Sequence, residues 1–317
     1  METNNPNSKH ITSMFEVRTA NQVLSDAASQ PDPIELFPPL IIEGEITILF
    51  ADTGIGKTAL SVQIGIAIAQ SFDKNILYLD LELSDKQFEK RYRNNEGVHF
   101  LFPERFHRAS YAPLLYAYAD SDYDKLFINS LLDSIQRTNS TVVIIDNMTR
   151  VVAGDTDSAK NTIPIMTSLL KLKTEMNLTF IILEHNKKVD NWRPISLNDL
   201  QGSKMKSNFA DSVFTIGRDA NDKSIRYIKQ LKVRSAELEY DSDNVLICEL
   251  TKEKGFLGFK EIRQGDENDL LRSTSKEGRD ERIERIISLK SQGHSNVAIA
   301  KELGVSEGAI RKWTKDR

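Results

Sequence analysis

Short apolar runs, rich in β-branched residues, recur along the first 274 residues of the chain. Each run is four or five residues long, and such runs are typical of buried strands. The runs that predict strands are 46–50, 76–79, 141–145, 179–183 and 212–216. Residues 225–260 look like antiparallel strands added at the edge of the same sheet.

Helical patterns fill the intervals between these runs. Residues 57–70 carry apolar side chains at helical spacing, and the charged segment 85–93 predicts a second helix. A third is predicted at 164–176, with Pro164 in its first turn, where a missing N–H group costs nothing. Near-continuous apolar strands separated by helices predict an α/β fold with a mainly parallel sheet flanked by helices.

Composition excludes several classes of protein. The 317 residues are 39% apolar and 28% charged, as in an ordinary globular protein, and the length suggests about two domains. A single cysteine, Cys248, excludes a disulfide framework within the chain. No apolar stretch reaches about 18 residues and the start of the chain is polar, so we expect no membrane partner, no export signal and a cytoplasmic location.

A glycine-containing loop lies between the first predicted strand and the first helix. It matches the P-loop pattern except that Ala51 replaces the first glycine, and it consists of Ala51, Asp52, Thr53, Gly54, Ile55, Gly56, Lys57 and Thr58. Backbone N–H groups of such a loop point at phosphates, and its glycines allow close approach. Lys57 would add positive charge to the outer phosphates, and the Thr58 hydroxyl would coordinate Mg²⁺. The loop therefore predicts a site for a nucleotide with Mg²⁺; ATP is the expected nucleotide, and the choice between ATP and another nucleoside triphosphate stays open.

A P-loop needs a second carboxylate on the metal side, at the end of a neighbouring strand. Asp146 ends the third apolar run and is the candidate. Another carboxylate must orient or deprotonate the attacking water. The candidates are Asp80 and Glu82 after the second run, and Glu184 at the end of the fourth. Asn147, next to Asp146, cannot act as a base, which argues against ATPases that keep their base there.

Several segments follow one another in the order of a known family. After the loop they are Leu81-Glu82-Leu83-Ser84, Asp146-Asn147-Met148-Thr149-Arg150 with Gly154-Asp155, Glu184-His185-Asn186-Lys187-Lys188, and Leu231-Lys232-Val233-Arg234. Over about residues 35–262 the chain resembles the RecA-like hexameric ATPases, especially the RepA-type plasmid helicases and, more distantly, the DnaB-type replicative helicases. The resemblance implies a RecA-like P-loop core and a homo-oligomer, a hexamer in that family.

The resemblance also implies roles for individual residues. It makes Glu82 the catalytic base. It places a sensor of the γ-phosphate at the end of the fourth strand, where the choice between His185 and Asn186 stays open. Lys232 and Arg234 would reach the phosphate bound by a neighbouring subunit; a solvated strand face is the alternative.

The loop after the sensor strand faces a central channel in that family. Lys204 and Lys206 would there suit the phosphates of single-stranded DNA. A solvated basic loop without a nucleic-acid partner explains the same two lysines.

The end of the chain has a different character. Residues 275–317 hold 10 basic and 7 acidic side chains, a net charge of +3 against −7 for the rest. Two predicted helices, 281–289 and 296–303, flank a turn that contains Gly293, and Ser306 would begin a third. This stretch resembles the helix-turn-helix of resolvase- and transposase-type proteins. Its third helix would enter the major groove of duplex DNA with Arg311, Lys312 and Lys315. A protein-interaction module of three helices is the alternative.

The sequence thus predicts four regions. They are an N-terminal extension (1–34), a RecA-like P-loop ATPase domain (35–263), a linker (264–276) and a helix-turn-helix domain (277–317). The first functional hypothesis is Mg²⁺-dependent ATP hydrolysis by an oligomeric motor on DNA, in plasmid or mobile-element replication. The second is an ATP-switched DNA-binding or loading protein without unwinding activity, favoured because only about 40 residues precede the core. A metabolic kinase is disfavoured, since no acceptor-binding lid is evident.

Overall fold

The computed structural model describes residues 15–111, 123–151, 159–187, 193–201, 203–271, 276–302 and 310. The chain divides into two compact units, 1–34 and 35–317. In the first unit a short helix, α1 (Ala20–Ala27), begins with a capping box between Thr19 and Gln22, and none of its residues is buried. The second unit contains the other elements that the structure describes.

Strands and helices alternate through the second unit. The described strands are β1 (Glu35–Phe37), β2 (Ile41–Ile42), β3 (Ile46–Ala51), β4 (Ile76–Asp80), β5 (Phe106–Ala109), β6 (Val142–Asp146), β7 (Thr179–His185), β8 (Ser212–Arg218), β9 (Ile225–Lys232), β10 (Val245–Glu253) and β11 (Phe256–Gly265). The described helices are α2 (Lys57–Ser71), α3 (Asp85–Arg91), α4 (Tyr123–Thr138), α5 (Ala159–Met176), α6 (Ser203–Phe209), α7 (Lys276–Ser291) and α8 (Asn296–Glu302).

Nine of these strands form one sheet, in the order β11-β10-β9-β8-β3-β7-β6-β4-β5. Neighbours from β8 to β5 are parallel, whereas β9, β10 and β11 extend the sheet in antiparallel fashion. Strand β7 lies between β3 and β6. Because parallel strands end at one edge of a sheet, Ala51, Asp80, Asp146 and His185 all lie at that edge.

Both faces of the sheet are buried. Alternate residues of β3 belong to different apolar clusters: Leu49 packs with the residues of α2, and Ile48 and Phe50 pack with those of α4 and α5. Each side of the parallel strands is thus covered by helices, which explains why these strands are apolar at nearly every position. The predicted α/β fold with a mainly parallel sheet flanked by helices is confirmed.

Helix α5 departs from the prediction. It begins at Ala159, so Pro164 lies in the second turn and not in the first. Residues 159–163 contain no glycine or proline that would oppose an earlier start of the helix. Pro164 removes only one helical hydrogen bond, the bond to the carbonyl of Lys160 in the first turn. The predicted segments at Gly154-Asp155 and Lys188 lie outside the described residues.

The predicted linker, 264–276, is partly wrong. Strand β11 continues to Gly265, and Glu267 and Leu270 are buried. The Glu267 carboxylate accepts a hydrogen bond from the buried Lys229 ammonium at 2.5 Å. Among the described residues of this segment, Glu267 therefore serves a buried ion pair and is not part of a solvated connection, whereas residues 272–275 lie outside the described part of the chain.

The end of the described chain forms helices α7 and α8. Between them Gly293 has φ +87°, a left-handed conformation that favours glycine. The two helices and Ile310 form a small buried cluster, made of Ile286, Leu289, Ile299, Ala300 and Ile310. Apart from Ile310, the predicted third helix lies outside the described residues, and so do Arg311, Lys312 and Lys315.

Candidate functional site

The loop from Ala51 to Gly56 connects β3 to the N-terminus of α2. Gly54 has φ +73° and Gly56 has φ +118°, and no side chain caps the first turn of α2. A Cβ atom built on Gly54 would meet nothing within 4 Å, so this part of the loop borders open space. Free amide groups at a helix N-terminus together with an open, left-handed loop suit a phosphate.

The antiparallel part of the sheet lies behind this loop. A Cβ atom on Gly56 would come within 2.9 Å of the Phe259 ring, so only glycine fits between that ring and the helix. The side-chain amide of Gln63 on α2 donates to the Phe259 carbonyl and accepts from its N–H group, at 2.9 and 2.7 Å. The Arg226 guanidinium donates to the Ile55 carbonyl at 2.9 Å.

Lys57 points along the inside of the loop. Its Nζ donates to the carbonyl oxygens of Ala51 at 2.6 Å and Asp52 at 3.0 Å, and lies 3.4 Å from Nδ1 of His185. Burial lowers the pKa of Lys57, and the nearby carboxylates, Asp146 foremost, oppose that effect. The ammonium group is therefore held by two carbonyls of the loop itself, partners that it can exchange for phosphate oxygens.

The Asp146 carboxylate lies directly against the start of α2. Its Oδ2 accepts hydrogen bonds from the Thr58 hydroxyl and the Tyr78 hydroxyl, each at 2.7 Å. Burial raises the pKa of Asp146 to about 6. A hydroxyl and a carboxylate oxygen in direct contact are hard oxygen donors of the kind that Mg²⁺ prefers, so the donor set fits that ion.

The Glu82 carboxylate contacts Asn147, the residue that follows Asp146. Its Oε1 accepts a hydrogen bond from the Asn147 side-chain amide and is 3.8 Å from Nε2 of His185. The nearby His185 ring is the largest cause that lowers the pKa of Glu82, with the Asn147 hydrogen bond contributing, although burial opposes both. The side chain is 35% exposed. Glu82 is therefore a charged carboxylate that water can reach.

The other two candidate bases have different surroundings. Asp80 is buried, and its oxygens accept from the N–H groups of Glu82 and Leu83 and from Arg108. Glu184 is also buried, with its carboxylate 2.7 Å from Nζ of Lys206. Of the three carboxylates, Glu82 is the one whose side chain lies beside the phosphate loop and open to solvent.

The two candidate sensors also differ. The His185 ring lies between Nζ of Lys57 and the Asn147 amide, at 3.4 and 3.2 Å. Asn186 instead forms an isolated backbone bridge with Leu200, at the start of the following loop. Of the two side chains, it is thus His185 that contacts Lys57.

Lys206 does not lie on a solvated loop. Its side chain is 1% exposed and pairs with the equally buried Glu184 on β7. The interpretation of Lys206 as a DNA-contacting residue is therefore wrong for this conformation, because a buried ammonium cannot contact a phosphate outside. The side chain of Lys204 lies outside the described residues.

Lys232 and Arg234 lie at the far end of the sheet from the phosphate loop. Lys232 pairs with Val213 at the beginning of β8, and its Nζ donates to the carbonyls of Ser207 and Ala210, both at 2.7 Å. Strand β9 ends at Lys232, so Arg234 follows the strand. Its side chain is 59% exposed and donates to Asp211 at 2.8 Å.

Sequence reasoning missed Tyr78 and Arg108. A tyrosine inside an otherwise aliphatic strand was the available signal for Tyr78, since a buried hydroxyl requires a partner. Arg108 belongs to β5, a strand that no apolar run marks, and so its contacts were not accessible from the pattern.

Two comparisons with known proteins bear on this site. A family model described as an AAA domain matches residues 14–191, which is more than half of the chain. The chain belongs to the AAA-domain family. This AAA-domain protein is accordingly a P-loop ATPase in general terms, and its family implies nucleotide binding. A search among curated proteins found no match. Within the described part of the chain, no helix combines the length and apolar character that crossing a membrane requires.

Proposed function

We propose that this AAA-domain ATPase hydrolyses ATP with Mg²⁺ in a homo-oligomer that acts on DNA, as a RepA-type, helicase-like motor of plasmid or mobile-element replication. The observation that supports this most is the arrangement of four side chains around the phosphate loop. Lys57, Thr58 with Asp146, and Glu82 each lie where an ATPase needs a phosphate-binding cation, a metal site and a carboxylate for water.

The residues divide the chemistry between them. Lys57 exchanges the carbonyls of Ala51 and Asp52 for phosphate oxygens. Thr58 and Asp146 would hold Mg²⁺, which, when bound, supplies positive charge against the phosphate oxygens. Glu82 orients the attacking water and accepts its proton, and its lowered pKa keeps it charged at neutral pH.

His185 and Asn147 hold the Glu82 carboxylate in place. Because His185 also lies 3.4 Å from Nζ of Lys57, a movement of Lys57 toward phosphate would alter the contacts of Glu82 and of β7. We propose His185, and not Asn186, as the sensor of the γ-phosphate.

The oligomer is supported by the position of Arg234. This side chain is largely exposed and lies at the opposite end of the sheet from the phosphate loop of its own chain. A basic residue so placed can complete the site of an adjacent subunit. Lys232 has its ammonium group engaged by two carbonyls of its own chain, which makes Arg234 the better candidate for a finger in trans.

DNA is proposed as the partner at two places. Helices α7 and α8 with the Gly293 turn suit a helix-turn-helix, in which Arg311, Lys312 and Lys315 would contact duplex DNA. Lys204, the second residue of α6, is proposed to contact single-stranded DNA in a channel. An ATP-switched DNA-binding or loading protein is the second candidate, and the separately buried cluster of α7 and α8 favours it.

ATP turnover of the full chain with Mg²⁺, with and without single-stranded DNA, tests the proposal. We expect hydrolysis that DNA stimulates, an oligomer in the presence of nucleotide, and loss of turnover in Lys57→Ala. An unchanged rate in Lys57→Ala would contradict it. A forked DNA substrate separates the two candidates: strand separation supports the motor, and ATP-dependent binding without separation supports the switch.

A further inference from the structure

A second layer of contacts lies behind the segment that carries Glu82. The backbone N–H group of Leu81 donates to the Asp146 carbonyl at 2.8 Å. The N–H groups of Glu82 and Leu83 donate to Oδ1 of Asp80 at 3.3 and 2.9 Å. Three consecutive amide groups are therefore held, and two of them depend on the orientation of one buried carboxylate.

Arg108 fixes that carboxylate and the far end of the segment together. Its Nε donates to Oδ2 of Asp80 at 2.9 Å, one terminal nitrogen donates to the Leu83 carbonyl at 2.8 Å, and the other donates to Asp85 at 2.6 Å. The guanidinium carbon lies 4.7 Å from the centre of the Phe88 ring on α3. The Arg108 side chain is 17% exposed, whereas that of Asp80 is fully buried.

We infer that Arg108 is a positioning residue for Glu82: its guanidinium fixes the 81–85 segment so that the Glu82 carboxylate lies beside Asn147 and His185. The inference rests on the proposed function, because it assumes that Glu82 acts on the attacking water. Arg108 itself touches neither the phosphate loop nor Glu82, and it acts through Asp80 and Leu83.

The chemistry requires arginine. Three acceptors surround the side chain in three directions, and a planar guanidinium offers five donors in a fixed fork. A lysine at this position would keep a positive charge near Asp80 but could not bridge Asp80, Leu83 and Asp85 at once. A shift of about 1 Å in a catalytic group costs roughly a hundredfold in rate, so loosening this segment affects turnover directly.

Arg108→Lys tests the inference in the full-length protein. We expect kcat for ATP to fall roughly ten- to hundredfold, while KM and the affinity for a non-hydrolysable ATP analogue with Mg²⁺ stay within about twofold, since the phosphate loop is unchanged. Arg105→Lys is the matched control, because Arg105 lies just before β5, the strand that contains Arg108, and pairs with the exposed Asp73. It should leave kcat unaltered.

A double-mutant cycle with Glu82→Gln distinguishes positioning from a general structural effect. If Arg108 acts through Glu82, Arg108→Lys should have little further effect on kcat in the Glu82→Gln background. Independent, multiplying losses, or a wild-type kcat in Arg108→Lys, would overturn the inference. A Glu82→Gln variant with full activity would instead overturn the proposed role of Glu82.

Because a lysine cannot replace all three hydrogen bonds of Arg108, a second variant covers the case in which Arg108→Lys does not fold. The variant Asp80→Asn/Arg108→Gln removes the guanidinium and also removes the buried carboxylate charge at position 80. The side-chain amide introduced at position 80 keeps an oxygen that can accept from the N–H groups of Glu82 and Leu83. It should show the same pattern of reduced kcat and retained analogue affinity. Wild-type kcat in this variant also overturns the inference.

Discussion

Nζ of Lys206 lies 2.7 Å from the Glu184 carboxylate, and both side chains are 1% exposed. This ion pair joins α6 to the end of β7. The next residue along β7 is His185, which contacts Lys57 of the phosphate loop. A side chain that the sequence presents as a surface lysine is therefore a direct connection between the nucleotide end of the sheet and α6.

We expect Lys206→Met to destabilise the fold by about 3–5 kcal/mol, because it leaves Glu184 as an unpaired buried charge. The double variant Glu184→Gln/Lys206→Met should recover much of that loss, since neither residue then carries a buried charge. Denaturant unfolding measures both. A Lys206→Met variant of wild-type stability that has lost stimulation by DNA would indicate an exposed lysine instead.

Tyr78→Phe should weaken the metal site without disturbing the core. The variant removes one of the two hydroxyl groups that hold Oδ2 of Asp146, and a hydrogen bond to a charged group contributes about 1.5–3 kcal/mol. We expect a higher Mg²⁺ requirement for binding of an ATP analogue, measured by titration. Tyr92→Phe is the matched control, because among the described residues the buried Tyr92 hydroxyl has no hydrogen-bond partner. An equal effect of both variants would refute the assignment.

The raised pKa of Asp146 predicts a pH dependence of stability without Mg²⁺ or nucleotide. An acid whose pKa is about 6 in the folded chain and lower in the unfolded chain stabilises the fold at low pH. That contribution is lost as the pH rises through 6. The melting temperature of the wild type, relative to that of Asp146→Asn, should therefore be highest near pH 4.5 and should fall as the pH rises through 6. Parallel curves from pH 4.5 to 7.5 would contradict the prediction.

Arg234 and Lys232 should respond differently to substitution by alanine. Lys232→Ala should lower the melting temperature, because the carbonyls of Ser207 and Ala210 lose their donor. Arg234→Ala should leave stability nearly unchanged, since Asp211 keeps Lys173 at 2.6 Å, but should reduce ATP turnover.

Mixing variants tests whether Arg234 acts in trans. In a mixed oligomer of Arg234→Ala and Lys57→Ala subunits, some sites combine an intact phosphate loop with an intact Arg234. We expect such a mixture to regain part of the turnover that each variant lacks alone. Wild-type turnover in Arg234→Ala, or a mixture without any recovery, would exclude the finger role.

Much of the core could be predicted because its signals are local. The run before the phosphate loop, the helix after it and the strand that ends at Asp146 are each marked by a handful of consecutive residues. Parallel strands then bring their carboxyl ends together without further information. The sequence therefore indicated which residues surround the loop, and Glu82 was already among the candidate bases.

Other features depend on packing between distant segments. Strand β5 is four residues long and only Phe106 in it is buried, so no apolar run distinguishes it from a loop. Lys206 is buried because its partner, 22 positions away in the sequence, ends a strand on which α6 packs. Polar residues at 264–271 resemble a linker, and only the fold shows that Glu267 neutralises a buried lysine.

The Phe259 ring occupies the space that a side chain on Gly56 would need, and Gln63 secures the same residue through its backbone. Strand β11 thus packs against the phosphate loop, which lies about two hundred residues earlier in the chain. A protein shortened before β11 would keep Lys57, Thr58, Asp146 and Glu82, yet it would lose the Phe259 ring that packs against Gly56. The smallest fragment that binds a triphosphate must therefore extend past Phe259, well beyond His185, the last residue that contacts Lys57.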